Sequence, residues 1–392
     1  MIDWNSAPVK QSLVGLREML FLQGRDSRVV RYAMAYSSVK KQWLEKIKQS
    51  VRGVFKKRPK SPDALHFFFW LPGGLGDAAC ARRVVSRYLQ LLPDAQVEIY
   101  SPVPGAVKTV FADFPQVVPV NTEKQYWHNF DLVVFVCLGV KFLYAHERRL
   151  AQLAPNFLPV YQQAVLAQNS LGALWKDPFL TEPALGRWLL RQGGKRLDLL
   201  AFTSGLNLDQ QPETVWSAVP EKLVKWDLVP HQYITFHDGA VGDTLPTRMW
   251  PRKNWEELLL QIKKSYPQLK IVQIGTEENF SYPQADVCLC GKTATTELPA
   301  LLASSALHVD TESGLVHLAQ YLPTKSIVLF GPSDKEFFSY KKNINLSSGN
   351  CGGCMWMTSH WMQQCPLSAG GAACMQAIST DQVYQAVREF LQ

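Results

Sequence analysis

The chain has 392 residues, 41 Lys and Arg against 33 Asp and Glu, with 47% hydrophobic and 19% charged residues. Single domains cluster at roughly 100 to 200 residues, so two domains plus an appendage are expected, and the apolar share excludes wholesale disorder. No apolar run approaches the roughly 18 to 20 residues needed to span a bilayer. The opening Met1-Ile2-Asp3-Trp4-Asn5 lacks the basic start and apolar stretch of a secretion signal, so a cytoplasmic location is the expectation.

Charge is concentrated near the start. Between Lys40 and Lys60 nine basic residues accompany Glu45 alone, which accounts for the whole net charge of +8. A general nucleic-acid binder would carry basic residues across a face of its fold, so no nucleic acid is expected as a partner and a local basic arm is. Trp43, Ile47, Val51 and Phe55 recur at every fourth position, so residues 1–62 read as a basic, amphipathic, helical extension that stops at Arg58-Pro59-Lys60-Ser61-Pro62. Such a face has two uses: packing on the next domain, or peripheral contact with an anionic membrane surface.

Residues 63–228 alternate strand and helix. A strand over Leu65–Leu71 leads through Pro72-Gly73-Gly74-Leu75-Gly76-Asp77 into a helix from about Ala78 to Leu91, followed by strands at Gln96–Tyr100 and Leu132–Cys137. That alternation predicts an α/β domain with a parallel sheet. The glycine turn has three readings. It fits a dinucleotide fingerprint, Gly74-x-Gly76-x-x-Ala79 with Glu98 as the ribose acid; it fits a phosphate or acceptor turn; and it fits a plain strand-to-helix turn with Asp77 as a helix cap.

The pattern restarts at residues 229–347. Strands are expected at Tyr233–His237, Lys270–Gly275, Ala306–Asp310 and Ser326–Phe330, and helices at Trp255–Tyr266, Thr295–Ser304 and Gly314–Tyr321. Two such units, each with a glycine turn at the carboxyl end of a strand, predict two Rossmann-like domains facing a ligand cleft. Residues 379–392 close the chain as a helix.

Residues 348–378 differ in kind. Cys351-x2-Cys354-x10-Cys365-x8-Cys374 offers four thiolates, a set that suits tetrahedral zinc or iron, in a loop with too few spaced apolar residues to fold by packing alone. One structural iron or zinc per chain is therefore expected; four protein ligands leave no open position, so no catalytic metal is. Cys80, Cys137, Cys288 and Cys290 lie among apolar residues and read as inert core thiols.

Five stretches of the second unit occur in a telling order: His237-Asp238-Gly239, Thr247-Arg248-Met249-Trp250-Pro251, Gly275-Thr276-Glu277-Glu278, Glu312-Ser313-Gly314-Leu315-Val316-His317-Leu318-Ala319, and Leu329-Phe330-Gly331-Pro332-Ser333. In that order and spacing the chain resembles the ADP-heptose glycosyltransferases, the heptosyltransferase family of inverting enzymes with the GT-B fold, over about residues 65–391. The resemblance implies a catalytic base at Asp77 after Gly73, Gly74 and Gly76, and donor contacts from Arg248, Lys253, Glu277, Glu278, Glu312, Ser313, Gly314 and His317. Glu312 stands where the family usually has Asp, which bears on the identity of the sugar. A subset that glycosylates autotransporter adhesins is similar in carrying a four-cysteine iron site near its C-terminus.

The expected partners are then ADP-heptose or a related nucleotide sugar, an acceptor that is a protein or a lipid-linked glycan, and other copies of the chain in a homo-oligomer. The expected function is heptosyl transfer to a hydroxyl, slightly favouring a protein acceptor over lipopolysaccharide core. A nicotinamide-dependent oxidoreductase and a non-catalytic metal-stabilised scaffold are the alternatives from other classes.

Overall fold

The computed structural model describes residues 2–4, 6–22, 63–121, 127–175, 178–208, 214–217, 219–239, 245–349, 351–357, 360–368 and 370–392. The stripe of Trp43, Ile47, Val51 and Phe55 lies outside the described residues. The chain divides into two compact units, Met1–Gln210 and Gln211–Gln392. Among the described residues no helix is long and apolar enough to cross a membrane.

In the first unit, helix α1 (Ala7–Leu22) precedes β1 (His66–Trp70), α2 (Leu75–Leu91), β2 (Gln96–Tyr100), α3 (Pro104–Val110), β3 (Val117–Val120), β4 (Leu132–Val136) and β5 (Val140–Ala145). Four further helices follow: α4 (Glu147–Leu153), α5 (Leu158–Leu171), α6 (Pro178–Arg191) and α7 (Arg196–Ser204). The sheet runs β3-β2-β1-β4-β5, parallel except for the β4–β5 pair. Phe67, Phe68 and Phe69 of β1 are all fully buried, as a parallel strand covered on both faces requires.

The strand expected at Leu132–Cys137 is β4, and it continues into a hairpin: Cys137 N–H donates to Gly139 O at 2.9 Å, and β5 turns back beside β4. A side chain at Gly139 would meet the Trp175 ring at 2.7 Å, so the turn needs glycine. One local expectation is corrected. The helix after the glycine turn begins at Leu75, with Gly74 as its N-cap and no side-chain cap. Asp77 therefore sits inside the first helical turn and does not cap it.

The second unit contains β6 (Tyr233–His237), α8 (Arg252–Ser265), β7 (Lys270–Gln273), β8 (Val287–Cys288), α9 (Leu298–Ala303) and β9 (Leu307–Thr311). Then come α10 (Gly314–Ala319), β10 (Ser326–Phe330), α11 (Lys335–Phe338), β11 (Ile344–Ser347), α12 (Ala373–Gln376) and α13 (Thr380–Leu391). Its sheet, β11-β10-β9-β6-β7-β8, is parallel throughout, the doubly wound order whose strand ends present ligands at the point where the order reverses. In α8, Trp255, Leu258, Leu259 and Ile262 are buried at helical spacing, and Trp255 meets Trp250 edge-on at 5.1 Å. The buried Trp250 indole donates to Ile378 O at 2.9 Å, anchoring the start of α13, whose Ser379 and Gln382 form a capping box.

The cysteine-bearing segment lies on this unit as a strap. Gly353 N–H donates to Gly331 O at 3.0 Å and Met355 N–H to Pro332 O at 2.9 Å. Further along, the Thr247 hydroxyl contacts Trp361 O at 2.9 Å and Met362 O at 2.8 Å. These bonds bring the ring of Trp361 over Arg248.

Candidate functional site

The first cluster forms where α2 begins. The carbonyl of Gly73 accepts from the Ser101 hydroxyl at 2.9 Å. A Cβ at Gly73 would stand 1.9 Å from Asp77 Oδ2, so this glycine makes the room that the carboxylate occupies. Gly74 is not crowded in the same way, its nearest neighbour being Val103 at 3.8 Å, and Gly76 lies within α2. Asp77 Oδ1 accepts from Arg196 Nη2 at 3.0 Å, with 38% of the Asp77 side chain exposed and 8% of that of Arg196. The same Nη2 donates to Cys137 O at 2.9 Å. Burial disfavours the guanidinium charge, but Cys80 first, then Asp77 and Cys137, outweigh it and push the Arg196 pKa up. The result is a partly open carboxylate held in place by a buried guanidinium.

The second cluster gathers at the carboxyl ends of β6 and β9. Glu312 follows β9 directly, and its carboxylate is met by Arg248 Nη1 at 3.0 Å and by His317 Nε2 at 2.9 Å. Arg248 Nη1 also donates to Glu312 O at 3.3 Å, and its guanidinium lies 5.4 Å from the centre of the Trp361 ring. The other imidazole nitrogen of His317, Nδ1, lies 2.6 Å from the Tyr340 hydroxyl. Burial alone would raise the Glu312 pKa, but Arg248 first, then His317 and the Ser333 hydroxyl, hold the carboxyl far below the usual range.

Directly beneath, Asp310 is fully buried between His237, whose Nδ1 is 2.9 Å away, and His308, whose Nε2 is 3.2 Å away. Burial opposes charge on both Asp310 and His237. Their mutual attraction wins, holding the carboxyl low and raising the imidazole above its ordinary value. The Ser313 hydroxyl donates to Asp310 and accepts from Leu315 N–H at 3.1 Å. Ser313 is thus the N-cap of α10, its hydroxyl proton committed inside the protein, while Gly314 opens that helix.

The structure therefore unites Arg248, Glu312, Ser313, Gly314 and His317. Lys253, Glu277 and Glu278 are exposed, the first in the opening turn of α8 and the others in the loop after β7. Glu277 packs against Gly291, where an added Cβ would stand 2.8 Å from its own. The motif reading missed Arg196, Asp310, Tyr340 and Trp361. His308 and Asp310 are two apart on one strand, so a shared face was legible; Arg196, Tyr340 and Trp361 reach their partners only through the fold.

The four tail cysteines share one neighbourhood. The Cys374 thiol is pushed up to about 12, by burial first and then by Cys351, Cys354 and Cys365, and Cys351 and Cys365 pack on the same core as Cys374. The donor set thus has the soft chemistry of a four-thiolate site. The expected ligand geometry is not formed: among the described residues no group of three or more His, Cys, Asp or Glu stands close enough to hold an ion.

Residues 194–365 match the model of glycosyltransferase family 9 (heptosyltransferase). A search of curated proteins gives no significant match. Among solved structures, the bacterial iron-containing dodecameric glycosyltransferase TibC from enterotoxigenic E. coli H10407 is similar at TM-score 0.56, with 16% identity over 85% of this chain and 80% of that one. TibC in complex with ADP-D-beta-D-heptose gives TM-score 0.54 and 15% identity, over 85% of this chain and 77% of that one. The E. coli ADP-heptose lps heptosyltransferase II gives 0.47 and 13%, over 83% and 98%. At such identities the likeness speaks for the fold alone. The resemblance carried by the motifs is thereby shown over residues 194–365: the chain is a glycosyltransferase, its match is to the heptosyltransferase family, and its two α/β units have the GT-B fold.

Proposed function

We propose that the chain transfers heptose, with inversion, from an ADP-heptose-type donor to a hydroxyl group. Asp77 takes the proton of the acceptor hydroxyl as its oxygen bonds to the anomeric carbon, and the bond from that carbon to the diphosphate breaks. Arg248 meets the charge on the departing ADP, with His317 and the backbone amides near Gly314 beside it. Glu277 or Glu278 serves the nucleoside ribose, and Lys253 adds positive charge at the donor. The observation that carries this reading is the Arg248–Glu312–His317 assembly, which lies wholly within the segment matching the family.

The acceptor we infer is a protein, such as an autotransporter adhesin, before lipopolysaccharide core. The support is the four-cysteine segment together with the likeness in fold to iron-containing TibC. An iron or zinc ion held by Cys351, Cys354, Cys365 and Cys374 supplies a cross-link within the strap and no catalytic step. Assembly into a homo-oligomer at the cytoplasmic face of a membrane completes the reading, the basic arm supplying peripheral contact. A nicotinamide oxidoreductase uses only the glycine turn and leaves the second cluster without a task.

A thermal-shift series with ADP-heptose, UDP-sugars and NAD separates these classes, since a ligand bound by the native state raises the melting temperature by mass action. ADP-heptose should stabilise, and incubation with an adhesin passenger domain should add one heptose mass. Stabilisation by NAD alone would defeat the proposal; transfer only to lipopolysaccharide core would keep the reaction and replace the acceptor.

A further inference from the structure

Four side chains form one line of contact from the turn before β11 inward to the guanidinium of the second cluster. Tyr340, in the turn between α11 and β11, places its hydroxyl 2.6 Å from His317 Nδ1. His317 Nε2 lies 2.9 Å from Glu312 Oε1, and Glu312 Oε2 lies 3.0 Å from Arg248 Nη1. The imidazole is also packed edge-on by the rings of Phe338, at 5.9 Å, and of Tyr340 itself, at 5.7 Å. Glu312 and His317 are both nearly inaccessible, with 6% of each side chain exposed, so water cannot replace either partner.

The donor and acceptor roles along this line follow from the chemistry of its members. Glu312 is ionised beside Arg248, so its carboxylate only accepts, and the proton between it and His317 belongs to Nε2. A neutral imidazole with its proton on Nε2 has a bare Nδ1, which can only accept. A tyrosine hydroxyl can donate to such a nitrogen, and the Tyr340 hydroxyl stands 2.6 Å from it. Without that donor, the Glu312 carboxylate would favour a second proton on the ring, since an adjacent anion stabilises imidazolium. The added positive charge would then compete with Arg248 for the same carboxylate.

We propose that Tyr340 is a positioning residue that fixes His317 as the neutral, Nε2-protonated tautomer, so that Glu312 remains paired with Arg248 and the guanidinium keeps one orientation. Tyr340 touches neither donor nor acceptor in this proposal; it acts through His317, as the partner of a catalytic or ligating histidine commonly sets which nitrogen carries the proton. The inference about the imidazole stands on these contacts together with the charge on Glu312 beside Arg248. Its consequence for ADP rests on the reading of Arg248 given above.

The test is nitrogen NMR of the imidazole side chains in the full-length protein, with the His317 signals assigned by their loss in His317→Gln. The wild-type protein at pH 7.5 should show His317 as the neutral tautomer protonated at Nε2. In Tyr340→Phe, which keeps the ring and removes only the hydroxyl, the His317 signals should move toward imidazolium and titrate at higher pH. ADP affinity by calorimetry should fall roughly 3- to 10-fold, the size of one lost hydrogen bond. An Nδ1-protonated or fully charged His317 in the wild-type protein would overturn the proposal whether or not Tyr340→Phe folds. So would a Tyr340→Phe spectrum identical to the wild type. Wild-type protein that shows the expected tautomer but binds no ADP would uphold this inference and defeat the donor reading instead.

Discussion

Asp77 and Arg196 are separated by 119 residues in the chain and by 3.0 Å in the fold. The pairing places a cation with 8% side-chain exposure behind a carboxylate with 38%, so the acid is both accessible and fixed. Gly73 completes the arrangement by leaving empty the space that any side chain would take from Asp77.

If Asp77 is the general base, Asp77→Asn should lower turnover by roughly 10² to 10⁴, the usual contribution of such a group. ADP affinity and melting temperature should change little, because the amide can still accept from Arg196. Near-full transfer by this variant, measured by mass gain on the acceptor, would remove Asp77 from the mechanism.

Arg248→Ala should have two separable effects. On the proposed donor reading it removes a charge-assisted contact to phosphate and weakens ADP; it also leaves the Glu312 carboxylate buried without its guanidinium, at a cost on the order of 3 kcal/mol. Adding Glu312→Gln to Arg248→Ala should restore most of the stability and none of the ADP affinity. Calorimetry and urea melts on the single and double variants distinguish the two; recovery of ADP binding in the double variant would show that Arg248 acts only on Glu312.

Stability should depend on pH through groups of opposite sign, Glu312 and Asp310 on the acid side and His237 on the alkaline side. Glu312 has a depressed folded pKa, so its contribution is present above the unfolded value of about 4.3 and is lost as pH falls toward the folded one. His237 has a raised folded pKa, so its contribution is full below about 6.5 and is lost as pH rises through the folded value. Urea midpoints measured across pH should therefore fall at both ends. Glu312→Gln should shrink the acid limb, leaving the share of Asp310, and spare the alkaline one; an unchanged acid limb would assign it to other carboxylates.

Protein purified without chelating resin should contain about one iron or zinc per chain, iron showing thiolate charge-transfer colour. Cys354→Ser should lose the ion and lower the stability of the strap, since ion binding contributes folding free energy directly. EDTA added to intact enzyme should not stop transfer at once. A metal-free, fully folded preparation with all four thiols titratable would refute the site.

Much of this protein was legible in its residue order. The unbroken apolar strands Phe67-Phe68-Phe69 and Ile327-Val328-Leu329 announce a parallel sheet buried on both faces, because period-two alternation appears only where one face is wet. The spacing of Glu312, Ser313, Gly314 and His317 identifies a strand-to-helix turn bearing ionisable groups, since those contacts span five residues or fewer. What the order could not give were contacts that close over long stretches of chain. The hairpin at Gly139 depends on Trp175, the orientation of Asp77 on Arg196, that of Arg248 on Trp361, and that of His317 on Tyr340. Local periodicity reports which face of an element is buried; which side chain arrives from a distant loop to pair with a buried charge is decided by packing of the whole unit, because only there does the cost of leaving that charge unpaired arise.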